Sequence, residues 1–69
     1  MKVKLTNAWM EQLEKIKRKG FIINSDFIHI HEGTTYSCNQ GEELTIDNAH
    51  YAASNDLQLM VTKGWLEIV

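Results

Sequence analysis

Two Lys-Gly pairs set the layout of this chain. Lys19-Gly20 and Lys63-Gly64 each close a helical stretch opened by an asparagine (Asn7, Asn55), and each is followed at once by an aromatic residue (Phe21, Trp65). Glycine just past a helix adopts the left-handed conformation that ends it, and an apolar residue next to it starts the return strand. Nothing else in the two segments aligns, so no internal duplication is implied. Each helix therefore delivers the chain straight back onto a sheet. The order expected is β-α-β-β-β-α-β, an α+β fold in which two helices cover one face of a small mixed or antiparallel sheet.

The first elements are sharply written. Lys2-Val3-Lys4-Leu5 alternates polar and apolar, as a half-buried strand does. Thr6 or Asn7 can cap a helix over 8–19, with Ala8, Trp9, Leu13 and Ile16 on one face and Met10 beside them. Trp9 is expected to pack against Phe21 and Trp65. Beyond Gly20, Phe21–Asn24 and Asp26–His31 read as strand, Glu32-Gly33-Thr34 as a turn and Thr35–Cys38 as the return of a hairpin. Glu42–Ile46 forms another short strand. Asp47 or Asn48 then opens a second helical region, interrupted at Ser54-Asn55-Asp56. This region is either one kinked helix or a loop and a short helix over 56–63, capped by Asn55 with Gln58 completing a capping box. Trp65–Val69 closes the sheet. The expected core is Val3, Leu5, Trp9, Leu13, Ile16, Phe21, Ile23, Ile28, Ile30, Leu44, Ile46, Leu57, Met60, Leu66 and Ile68.

Sixty-nine residues make one domain, and a chain of this size buries only about 60% of its unfolded surface, so its stability is marginal. A single cysteine, Cys38, leaves no internal disulfide and fits a reducing compartment. With 43% hydrophobic and 23% charged residues the composition is globular. No apolar run exceeds three residues, against the ~20 that span a bilayer. Met1–Leu5 is too short and polar for a signal peptide. A cytoplasmic protein without a membrane partner is the expectation.

Charge is sorted along the chain. Lys2, Lys4, Lys15, Lys17, Arg18 and Lys19 face only Glu11 and Glu14 within residues 1–20, a balance of +4. Lys63 alone faces Asp26, Glu32, Glu42, Glu43, Asp47, Asp56 and Glu67 in the remainder, a balance of −6. Such a dipole bears on steering and partners, not on reaction chemistry. The cluster Lys15, Lys17, Arg18, Lys19 at a helix end can dock on phosphates or on an acidic protein surface. An acidic sequence pI near 5.8, one arginine and no aromatic–basic interleaving favour the protein surface. Among the aromatic residues Tyr51 is expected to be exposed, and with the four cations it makes the predicted partner-binding set.

No catalytic motif is present. His29 and His31 share a strand face at period two, a spacing that lets two imidazoles hold one metal, with Cys38 or His50 as a third ligand. The opposite assignment is preferred: Ile28 and Ile30 fill the core, the histidines point to solvent beside Phe27, and no metal or other cofactor is bound. Cys38 lies between acidic stretches, a poor setting for a nucleophile, and reads as a small buried hydrophobe. Glu42 and Glu43 point to opposite faces of a strand. The glycines lack phosphate-loop spacing.

Residues 36–69, with Tyr36, then Gly41-Glu42-Glu43-Leu44-Thr45-Ile46, then Gly64-Trp65-Leu66-Glu67-Ile68-Val69 after a helix, resemble the ending of many very small phage-encoded proteins. The segment between Ile46 and Gly64 is longer than in that pattern. The resemblance implies a mobile-element origin and a non-enzymatic accessory role, in virion assembly or in binding a host protein, and transfers no functional residue. The expected function is accordingly a protein-binding accessory or inhibitor, able to self-associate. The alternative is a nucleic-acid-binding regulator using the same basic helix end.

Overall fold

The first strand of the chain becomes the middle of the main sheet. The computed structural model describes residues 1–69, with elements in the order β1 (Lys2–Leu5), α1 (Asn7–Arg18), β2 (Phe27–His31), β3 (Thr34–Cys38), β4 (Leu44–Thr45), α2 (Asn48–Ala53), α3 (Asn55–Thr62) and β5 (Leu66–Ile68). This is a small α+β fold. Its strands divide between two antiparallel sheets instead of sharing one: β4-β1-β5 and the β2-β3 hairpin.

β1 pairs with β4 through Val3 opposite Leu44, and with β5 through Val3 opposite Ile68 and Leu5 opposite Leu66. Its alternation turns Val3 and Leu5 inward, where they meet Ile46, Leu57 and Leu66; each of these five is buried. The Met1 ammonium donates to the Ile46 carbonyl at 2.9 Å and to Asn48 Oδ1 at 3.0 Å, fastening the chain start to the segment between β4 and α2 and to the first residue of α2.

Thr6 caps α1. Its hydroxyl accepts from the Trp9 N–H and donates to the Gly64 carbonyl, so one side chain joins the helix start to the turn before β5. Only Leu13 of α1 is buried. Trp9 anchors the helix: its indole N–H donates to the Asp26 carbonyl at 2.8 Å, and its ring contacts Phe27 and Trp65. Phe27 thus takes the place expected of Phe21.

The second helical region resolves into two helices that meet at Ser54. Ser54 is buried, ends α2 and caps α3, its hydroxyl accepting from the Leu57 N–H at 3.2 Å. Asn55 is the first residue of α3 and not its cap. Gln58 forms no capping box; its amide donates to the Tyr51 and Ala52 carbonyls, satisfying the end of α2. Asp47 caps α2 by accepting from the Ala49 and His50 N–H groups, which hold its carboxyl below the usual carboxylate range.

Three expectations fail, chiefly between residues 16 and 31. Phe21–Asn24 is not a strand. Ile16, Phe21, Ile28 and Ile30 are exposed, and so is Ile68 on the outer side of β5. Finally, β2 presents the opposite face to that predicted. Phe27 is buried and His29 and His31 are half-buried, while Ile28 and Ile30 are 55% and 67% exposed.

The reason lies in β3. Glu32 and Gly33 both have positive φ (+48° and +80°), the two-residue turn that fixes hairpin register. That register pairs Phe27 with Cys38 and His29 with Tyr36, against Ile28 with Ser37 and Ile30 with Thr35. Summed over both strands, the face carrying Phe27, Tyr36 and Cys38 has the greater aromatic area to bury. It wins, and the histidines go in with it.

Candidate functional site

Two places hold chemistry that packing does not account for. The first is the end of α1. Lys15, Lys17, Arg18 and Lys19 are all exposed. Lys17 Nζ stands 3.9 Å from Asp26 Oδ1, and Arg18 reaches Glu14 at 4.0 Å across one helical turn. Both pairs lie at the outer limit of an ion pair and contribute little. Lys15 and Lys19 have no carboxylate within 4.0 Å. Lys2, on β1, pairs with Glu43 at 3.7 Å.

Directly after these cations the chain exposes Phe21 (63%) and Ile22 (94%). Along the flank of α1, Met10, Leu13, Glu14 and Lys17 line a shallow pocket of about 240 Å³. A cationic rim, a pocket of mixed lining and two projecting apolar side chains therefore occur on one helix and the segment leaving it. Tyr51, the aromatic residue expected to anchor a partner, instead lies half-buried on α2 against the core. The most exposed apolar groups next to the cations are Phe21 and Ile22, with Ile16 exposed to a lesser degree. Their signal was present in the sequence as an apolar run following a glycine, and reading that run as a strand concealed it.

The second place is the underside of the β2-β3 hairpin. His29, His31 and His50 form a row, with ring centroids 6.1 Å apart between the first two and 4.9 Å between the last two. His50 is brought there by α2, and Tyr36 Oη meets its Nδ1 at 2.5 Å while accepting from the Asp47 N–H at 3.4 Å. His29 Nε2 lies 3.4 Å from the Ser54 hydroxyl. His31 Nε2 is buried without a hydrogen-bond partner. Glu32, on the turn, places one carboxylate oxygen 3.9 Å from His31 Nε2 and the other 3.8 Å from His50 Nε2. As they stand, no three His, Cys, Asp or Glu side chains are close enough to share a metal ion.

Cys38 does not join the row. It sits opposite Phe27, at the end of the hairpin away from the turn. Burial, followed by the nearby charges of Glu42 and Asp26, pushes its thiol above the ordinary cysteine value. It has the character of a core side chain.

No known protein family matches this chain, and neither a curated protein nor a solved structure shows significant similarity to it. No helix is long and apolar enough to cross a membrane.

Proposed function

We propose that this chain is a small non-enzymatic protein-binding module of the cytoplasm, an accessory or inhibitor protein of a phage or other mobile element. It docks through the end of α1 on an acidic patch of a host or virion protein. The observation that carries this reading is the juxtaposition of Lys15, Lys17, Arg18 and Lys19 with the exposed Phe21 and Ile22. Cations alone suit a polyphosphate as well as a protein. Large apolar side chains beside them suit a surface that is itself partly apolar, and interface centres are enriched in aromatic residues and depleted in charge. The cations contribute steering and register, and the apolar residues contribute contact area. The mobile-element origin rests on the resemblance of residues 36–69, and the cytoplasmic setting on a single free cysteine.

The test separates charge from apolar contact. A partner captured by cross-linking from a host lysate should be lost with Lys17→Glu/Arg18→Glu and, separately, with Phe21→Ser/Ile22→Ser. Circular dichroism should be unchanged in both, because all four side chains are exposed. Capture indifferent to both pairs would remove this surface from consideration. Tight duplex or single-strand DNA binding at physiological salt, steeply salt-dependent and abolished by the charge reversals alone, would establish the nucleic-acid reading instead.

A further inference from the structure

The turn end of the β2-β3 hairpin brings two imidazoles and a carboxylate to one point that the docking surface leaves unused. His31 and His50 direct their Nε2 atoms at the two oxygens of Glu32, 3.9 and 3.8 Å away. The two rings lie 4.9 Å apart. His31 Nε2 is buried with no hydrogen-bond partner, and a buried polar atom left unpaired in a native fold calls for a physical reason. We infer that His31 Nε2, His50 Nε2 and the Glu32 carboxylate form a binding site for a divalent transition-metal ion of the zinc class, with water in the fourth position.

The donor set fits such an ion. Two imidazoles and one carboxylate are a zinc ligand combination that leaves one coordination position open. An outer partner is in place as well: Tyr36 Oη stands 2.5 Å from His50 Nδ1. With the Nδ1 hydrogen donated to that phenol, the lone pair of His50 Nε2 is directed at the ion. Orientation of a ligating imidazole through its other nitrogen is the common arrangement in metal sites. His29 is not a ligand, since its Nε2 faces the Ser54 hydroxyl at 3.4 Å.

Ligating geometry requires the trio to draw together. Ligands that share a tetrahedral zinc ion at ~2.1 Å stand about 3.4 Å from one another. The Glu32 oxygens are farther than that from both nitrogens, so the trio is open and not yet of ligating geometry. Glu32 is 73% exposed at the tip of a hairpin, where its side chain has room to rotate toward the two imidazoles. Ion binding would tie the hairpin to α2, two elements held together here by side chains alone.

Calorimetric titration of zinc chloride into the full chain, at a pH of about 7.5, should show one ion per chain with micromolar or tighter affinity. Binding should release protons and weaken as the pH falls, because a ligating imidazole must be unprotonated. Zinc at a hundred times its dissociation constant should raise Tm by about 10–20 °C. His31→Gln and His50→Gln should abolish binding, and Tyr36→Phe should weaken it about tenfold. Glu32→Gln, on an exposed turn, leaves the fold intact and should still weaken binding at least tenfold, while His29→Gln should not. No binding tighter than about 0.1 mM, or binding that survives Glu32→Gln or is lost with His29→Gln, would overturn the site.

Discussion

The sheet β4-β1-β5 with α3 and the hairpin β2-β3 are built on opposite economies. Val3, Leu5, Ile46, Leu57 and Leu66 bury hydrocarbon only, and each needs nothing from a neighbour beyond close contact. The hairpin buries Phe27, Tyr36 and Cys38, but the same face carries His29 and His31 inward and leaves two isoleucines outside. Its polar atoms must be met one by one: Tyr36 Oη by His50 and Asp47, His29 by Ser54, and His31 Nε2 by nothing in the chain. A region that is apolar throughout settles its own orientation. One that carries polar groups inward depends on partners supplied from elsewhere, and that dependence is where function can enter.

The sharpest way to break the comparison is to remove packing from the first region. Leu57 is fully buried, and Leu57→Ala should cost about 2–5 kcal/mol, a large share of the stability of so small a domain. Thermal unfolding would show it as loss of the cooperative transition at 37 °C. A melt only a few degrees below the parent would mean that this core is less continuous than described. Ser54 belongs to both regions, capping α3 and meeting His29. Ser54→Ala should cost about 1 kcal/mol, seen as a lower urea midpoint with an unchanged slope. The smallest effect is expected on the outer hairpin face. Ile28→Thr/Ile30→Thr should stay within about 0.5 kcal/mol per site, because these side chains bury little. A drop of several kcal/mol in the same denaturation experiment would mean that Ile28 and Ile30 are inside and the histidines outside.

The candidate sites differ in how far they could be read from sequence. The basic helix end was legible because its residues are contiguous: Lys15, Lys17, Arg18 and Lys19 fall on one turn wherever the helix sits. Phe21 and Ile22 were visible but misassigned. A run of β-forming residues reads as a strand whether or not another strand is available to pair with it. The histidine row was half legible. Period two put His29 and His31 on one face, but nothing local said which way that face would turn.

By itself the sequence determined what short-range chemistry determines. It set the α+β order, the first helix to within a residue at each end, the glycine stops, a turn at Glu32-Gly33 and the inward face of β1, where Val3 and Leu5 are the only apolar choices. Tertiary structure alone decided that Phe27 and not Ile28 goes inside, that Ser54 rather than Asn55 caps α3, and that His50 meets His31 beside Glu32. The reason is that a strand's face is chosen by the summed burial of both strands in its hairpin, and a cluster between β2 and α2 exists only once each has packed on the common core. Such choices compare alternatives across the whole molecule, and no window of neighbouring residues contains them.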